Sequence, residues 1–322
     1  MKRTLSVLAG SAALALALTA CSNGSNDTAA TSADGHDIVK VGLFPSSAVG
    51  AFQIGMEQGF FADEGIEVEL VMGQSSAAQL PAVNSGGLDF ILASPTTPLV
   101  AASKGLDVPI VSGYARNRPE TISDSVAVLV GPGSDIKTPK DLSGKRVAIN
   151  ALGSIGEIGI KEAVALDGGD PDSITFVQLG FDQVAAQLES GQIDAGMAGP
   201  PFIGQILNNG GAVVSDFIPA AGLDGAELVI VAGRKLVETK PELVERFTRA
   251  LDETLTYAEE HQDEVRELLP TVIGTDPAVA AKTEFIQWDA NLDVEAIEQF
   301  STLLVKYGVM NEEPGDDIVW SQ

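Results

Sequence analysis

One pattern occurs twice in this chain, and it constrains the fold more than any other feature. Ala77-Ala78-Gln79-Leu80, then Ser85-Gly86-Gly87-Leu88-Asp89, then Ser94-Pro95 is answered by Ala185-Ala186-Gln187-Leu188, then Ser190-Gly191-Gln192-Ile193-Asp194, then Gly199-Pro200. In both copies the aspartate stands six residues before the proline. Each copy reads as a helix, a glycine turn, a short strand and a loop containing proline. One βαβ solution used in two half-chains predicts two similar α/β lobes, with loops at matching strand ends. Similar local physics is enough to produce the echo, so ancestral duplication is not required.

The rest of the body fits this frame. The folded part is expected from Ile38, where the run to Phe44 reads as a buried strand. Val49, Phe52, Met56 and Phe60 recur at helical spacing within Ser46–Phe61, and Ile66, Val68 and Leu70 alternate as a strand. A second set runs from Val126 to Val231, with strands at Val126–Val130, Arg146–Asn150, Ile174–Leu179 and Ile193–Ala198. Helices at Ile155–Leu166 and Asp182–Glu189 separate them. Strands alternating with helices at this spacing predict mainly parallel sheets covered on both faces. After Lys235 the texture changes to long helices. One carries Val244, Phe247, Leu251 and Leu255 as an apolar stripe, another Val294, Ile297, Phe300 and Leu304.

The beginning of the chain reads as an address. Lys2 and Arg3 precede an apolar run too short for a comfortable bilayer span, which is the form of a secretory signal segment. Leu18-Thr19-Ala20-Cys21 resembles the bacterial lipobox, which implies a signal peptide over 1–20 and a diacylated Cys21. Two acyl chains suffice for stable anchoring. Ser22 to Asp37 is small and polar with no apolar period, so 21–37 is expected to be a flexible tether. The alternative is a freely secreted protein with an incidental thiol. A net charge of −26 disfavours nucleic acid and close contact with anionic lipid, while 45% hydrophobic residues supply a core.

Catalytic groups are scarce. Cys21 is the single cysteine, and His36 and His261 are the only histidines. His36 falls in the expected tether, and His261 in a charged stretch read as a solvated surface helix. This leaves no thiolate or histidine cluster for a metal and poor material for nucleophilic catalysis, and nothing in the sequence asks for a cofactor. The chain is therefore read as a binding protein, with a structural or adhesive lipoprotein as the rival class.

The candidate ligand contacts lie on loops after strands. Gly153, Ser154 and Ile155 open a helix after a strand, where free N–H groups can hold an anionic or polar group. Phe44, Ser46 and Ser47 occupy the equivalent place after the first strand, where the hydroxyls can cap a helix or meet a ligand. Ser94 and Thr96, with Pro200 and Phe202, sit on the two echoed loops. Tyr114 can close over a ligand, and Arg116 is either an anion partner or part of a solvated hinge loop.

Gly59-Phe60-Phe61-Ala62-Asp63-Glu64-Gly65-Ile66-Glu67-Val68, Asp141-Leu142-Ser143-Gly144-Lys145-Arg146-Val147 and Leu188-Glu189-Ser190-Gly191-Gln192-Ile193-Asp194-Ala195 appear in that order. Together they resemble the sulfonate, nitrate, taurine and thiamine-precursor group of periplasmic substrate-binding proteins, the receptors of ABC importers. The resemblance implies a type II two-lobed fold with a two-crossing hinge and a ligand cleft between the lobes. It implies one lobe from 38–123 with 224–322 and another from 124–223. It also implies a monomer that passes a small solute to a membrane-embedded permease. Serines at helix starts with Arg116 point to an alkanesulfonate, taurine or nitrate. A pyrimidine precursor of thiamine would instead use Tyr114, Phe44 or Phe202 for stacking. Some relatives make that pyrimidine themselves with histidines and cysteines, which this chain lacks at suitable places.

Overall fold

The structure, a computed structural model, describes residues 32, 35–118, 126–199 and 202–320. The signal segment, Cys21 and Pro200 therefore lie outside the described residues. In chain order the strands are β1 (Asp37–Leu43), β2 (Ile66–Met72), β3 (Phe90–Ala93), β4 (Ile110–Arg116), β5 (Ala127–Val130) and β6 (Arg146–Ile149). They continue as β7 (Thr175–Gln178), β8 (Ala195–Ala198), β9 (Ala212–Ser215), β10 (Leu228–Ala232) and β11 (Gln287–Trp288). The helices are α1 (Val49–Gln58), α2 (Phe60–Asp63), α3 (Ser76–Ser85), α4 (Thr96–Ala102), α5 (Ile155–Leu166), α6 (Phe181–Glu189) and α7 (Phe202–Asn208). They are followed by α8 (Phe217–Ala220), α9 (Arg234–Thr239), α10 (Pro241–Glu260), α11 (Gln262–Ile273), α12 (Pro277–Ala280) and α13 (Val294–Lys306).

Two sheets form. The first has the order β2-β1-β3-β10-β4-β11, the second β7-β6-β8-β5-β9. Slot for slot, the first five strands correspond. In each sheet the first three strands run parallel. The fourth runs against them, β10 beside β3 and β5 beside β8. The expectation of mainly parallel sheets thus needs correcting at β10 and the edge strand β11 in the first sheet and at β5 in the second. β10 and β5 are the strands by which the chain arrives from the other sheet, so their direction is set by the crossing.

The register shows where the crossings lie. Val229 pairs with Ala93 and Leu228 with Ala115, so β10 enters at the carboxyl ends of β3 and β4. Ala127 pairs with Ala198 and Val128 with Ser215, so β5 enters at the carboxyl ends of β8 and β9. Both connections therefore join the carboxyl edge of one sheet to the carboxyl edge of the other. Those two edges face each other across the hinge.

The echo has a physical basis. Asp89 N–H donates to the Lys40 carbonyl at 2.9 Å, and its carboxylate accepts from Lys40 N–H at 2.8 Å. Asp194 does the same to Arg146, at 2.9 and 2.8 Å. Each aspartate clamps the neighbouring strand one residue before their pairing begins, at Lys40 in the middle of β1 and at Arg146 at the start of β6, and so aligns β3 with β1 and β8 with β6. The loops after β3 and β8 then begin at equivalent places.

The core has three parts. One lies between the first sheet and α1, α10 and α11, where Phe90 stacks on Phe247 at 3.9 Å and Gly55 lets α1 approach Thr254 of α10. A small one lies under α6 and α7. The third is shared: Ile91 and Leu99 from the first sheet side and Ile149 and Ile160 from the second join through Phe300 and Leu304 of α13. Each large side chain fully buried there contributes roughly 2 kcal/mol.

Smaller corrections follow from local chemistry. The helix expected over Ser46–Phe61 breaks at Gly59, whose φ of 88° ends α1 and starts α2. β1 begins at Asp37, inside the expected tether, because its N–H bonds to the Gly65 carbonyl and its carboxylate pairs with Arg246. His261 is no mid-helix residue. It ends α10, stacks on Tyr257 at 3.8 Å and contacts the Tyr257 carbonyl through Nδ1 at 2.8 Å. The second apolar stripe buries Ile297, Phe300 and Leu304, but leaves Val294 exposed in the first turn.

Candidate functional site

The facing carboxyl edges carry most of the residues expected at a ligand site. After β1 come Phe44, Ser46 and Ser47; after β3, Ser94 and Thr96; after β6, Gly153, Ser154 and Ile155; and after β8, at the first residue of α7, Phe202. The topology puts the loops after β1 and β3 at the carboxyl edge of one sheet and those after β6 and β8 at the carboxyl edge of the other.

The loop after β6 is the best prepared of them. Gly153 has φ of 70°, a backbone conformation that glycine adopts without strain. Its N–H donates to Glu157 Oε2 at 2.7 Å, which closes the loop against the first turn of α5. Ser154 is the N-cap, yet its hydroxyl turns back to the Ala151 carbonyl at 2.7 Å and does not cap the helix. The N–H groups of Ile155, Gly156 and Glu157 consequently have no partner among the described residues. Three free donors at the positive end of a helix suit an oxyanion or a strongly polar acceptor. Gly156 has a packing duty instead: a Cβ there would stand 2.6 Å from Met197 Sδ on β8.

On the other side, Ser46 Oγ is buried with no hydrogen-bond partner among the described residues. Ser47 offers its carbonyl to Gly50 N–H at 3.1 Å, and Ser46 its carbonyl to Val49 N–H at 3.2 Å, so the backbone starts α1 without the hydroxyls. The Ser94 and Thr96 hydroxyls lie 3.3 Å apart, and Thr97 reaches Ser76 of α3 at 3.1 Å. Thr96 is buried at the start of α4. Phe44 and Phe202 are half-buried and pack against the cores of their own sheets.

Two expected contacts are displaced. Tyr114 does not close over a ligand. It is fully buried, stacks on Phe52 at 5.3 Å, and donates its hydroxyl to the Ala48 carbonyl at 2.5 Å. Burial pushes its phenol well above the usual range, so it remains a neutral prop beneath the start of α1. Arg116 is not a free anion partner. Its guanidinium pairs with Asp289 at 3.1 Å, after the edge strand β11. Arg118 is likewise engaged, holding both oxygens of Glu259 at 2.6 and 2.7 Å and the Phe285 carbonyl at 2.8 Å. The hinge arginines anchor the first crossing to the helical layer.

A cavity of about 630 Å³ also lies at the hinge, lined by Arg116, Asn117, Asp224, Gln287, Asp293 and Gln299. Of the residues expected at the ligand site, Arg116 at the end of β4 borders it, and Asp224, Asp293 and Glu295 make its lining acidic. Sequence reasoning did not find it, because Asn117, Asp224 and Asp293 meet only after both crossings are folded.

Two mixed sheets of matching order, joined twice at facing carboxyl edges, define a periplasmic-binding-protein-like fold of two lobes. Comparison with known proteins agrees. The NMT1/THI5-like family matches residues 47–265, and the chain belongs to that family. It is 26% identical over 238 residues to the formylaminopyrimidine-binding protein of Halalkalibacterium halodurans, covering 72% of this chain and 69% of the relative. The periplasmic aliphatic sulphonate binding protein SsuA of Escherichia coli superposes with a TM-score of 0.73 at 18% identity, covering 88% of this chain and 92% of the other. The alkanesulfonate-binding protein SsuA of Xanthomonas axonopodis gives 0.70 at 20% identity, covering 91% and 99%.

Proposed function

We propose that this protein is the extracytoplasmic solute-binding component of an ABC importer, capturing a small organic solute between its lobes and delivering it to the permease. The observation that carries this reading is the set of free N–H donors at Ile155–Glu157, set on one carboxyl edge and faced by the serine loops of the other. Lobe one would comprise 38–123 with 224–322 and lobe two 124–223, with closure bringing the loops together. Capture and release need no covalent step, so the reading is non-enzymatic.

An alkanesulfonate, taurine or nitrate fits donors of this kind, and sulfonate-binding proteins share the fold. A second solute class is favoured by a specific observation. With Arg116 held by Asp289, the named loop residues after β1, β3 and β6 include no cation, which suits a neutral thiamine-precursor pyrimidine. The formylaminopyrimidine-binding relative supports that class. Calorimetric and thermal-shift screening of the Cys21→Ser chain with sulfonates, taurine, nitrate and aminopyrimidines should return one solute bound per chain. No binding across both classes would refute the receptor reading.

The membrane attachment we infer is a diacyl anchor on Cys21, with the stretch to His36 as leash. Cys21→Ala should move the protein from the membrane to the soluble fraction. Equal retention on membranes would rule the anchor out.

A further inference from the structure

By sequence α13 belongs with the first sheet, yet its end is fastened to the second. Glu162, in the middle of α5, is only 7% exposed. Its Oε2 accepts from Lys306 Nζ at 2.5 Å and from the Tyr307 hydroxyl at 2.6 Å. Lys306 and Tyr307 are the last residue and the C-cap of α13. The Tyr307 ring also lies beneath the ammonium groups of Lys161 and Lys306, at 5.4 and 5.3 Å. A carboxylate this buried is costly without partners. Both hydrogen bonds to Glu162 come from this one segment, so the cost is offset only while the segment is docked.

The same segment reaches the ligand loop. A Cβ placed on Gly153 would stand 3.2 Å from Val309 Cγ1, so Val309 abuts the turn that presents the free N–H groups. In the other direction α13 packs on α4, and Phe300, Leu304 and Met310 sit in the core shared by both sheets. One helix thus touches the element behind Ser94 and Thr96 and the element behind Gly153 and Ser154. The two hinge crossings carry the chain, while this third contact ties the lobes without a covalent path.

We propose that α13 is a strap across the lobes and that Glu162, Lys306 and Tyr307 form its lock. They are positioning residues that hold the Gly153–Ile155 loop toward lobe one and so set lobe opening and solute affinity. The affinity part rests on the receptor reading; the strap itself does not.

Spin labels at Ala78→Cys and Gln183→Cys, exposed on the equivalent helices α3 and α6, report the distance across the cleft in ligand-free Cys21→Ser protein. Tyr307→Phe and Glu162→Ala should broaden that distribution toward longer distances, with far-UV circular dichroism unchanged. Lys306→Met should do so to a smaller degree, and Lys306→Arg should match the parent. Affinity for taurine or an aminopyrimidine, whichever the parent binds, should fall about five-fold in Tyr307→Phe, as expected when the competent arrangement is less populated. Distances unchanged in both Tyr307→Phe and Lys306→Met would overturn the strap, whatever the solute. A parent that binds neither probe would count against the receptor reading and leave the distance measurement to judge the strap.

Discussion

Asp89 and Asp194 occupy the same slot in the two sheets and make the same two bonds to a neighbouring strand, but their surroundings differ. Asp194 is also gripped by the Arg146 guanidinium, at 3.0 and 3.2 Å, and the guanidinium reaches the Gly191 carbonyl as well. This hydrogen bonding holds the Asp194 carboxyl below its ordinary range. Among the described residues, Asp89 has no guanidinium partner. Lys40 sends its ammonium toward Glu69 at 3.8 Å, and burial pushes the Asp89 carboxyl up. What the two lobes share is therefore the backbone clamp, and the charge pairing is peculiar to the second. The repeated letters encode an alignment of strands, which is why they predicted topology well and ligand chemistry poorly.

The comparison can be broken first at the aspartates. Asp194→Ala removes an acceptor for a backbone N–H and for a guanidinium, and should cost roughly 1–2 kcal/mol in urea unfolding. Asp89→Ala removes the backbone bond alone and should cost about 1 kcal/mol. Equal losses would mean that Arg146 adds nothing to the clamp.

The pH dependence should separate them further. Asp194, with its folded-state pKa depressed, contributes stability above the unfolded value that is lost as pH falls through the folded value. Asp89, with its folded-state pKa raised, favours folding in its protonated form and loses that contribution as pH rises through the folded value. The penalty of Asp194→Asn should thus shrink on acidification, while Asp89→Asn should look most favourable relative to the parent at neutral pH. Unfolding curves for both variants across the acid range provide the check, and parallel pH profiles would contradict the assignment.

The smallest effect is expected at the hinge. Arg116→Ala should leave solute affinity within about two-fold, because a partly exposed pair with Asp289 is worth little and stands apart from the ligand loops. A loss of ten-fold or more would return Arg116 to the cleft as an anion partner.

Much of the fold was legible in local pattern. Strand runs such as Val126–Val130, the glycine-marked helix starts and the stripe Val244, Phe247, Leu251, Leu255 all report a nearby periodicity, and all form the expected elements. The strand-end loops were legible for the same reason, since a loop after a strand is a local feature. β11 was not, being two residues long and dependent on β4 for its bonds. Tyr114 and Arg116 follow a strand end just as Ser94 and Gly153 do, and nothing local separates a cleft residue from a core one. Their roles are decided by Ala48, Phe52 and Asp289, which are remote in sequence.

By itself the sequence determined that the chain forms two like sheets with prepared loops at the ends of their strands, because hydrogen bonding, turn geometry and apolar period act over a few residues. Tertiary structure alone decided which side chains are free to meet a solute. It turned Ser154 away from its helix, buried Ser46 Oγ with no partner among the described residues, gave Arg116 to Asp289 and set Tyr307 on Glu162. Each of those outcomes is a competition between polar partners brought together by folding, and no local pattern records who wins it.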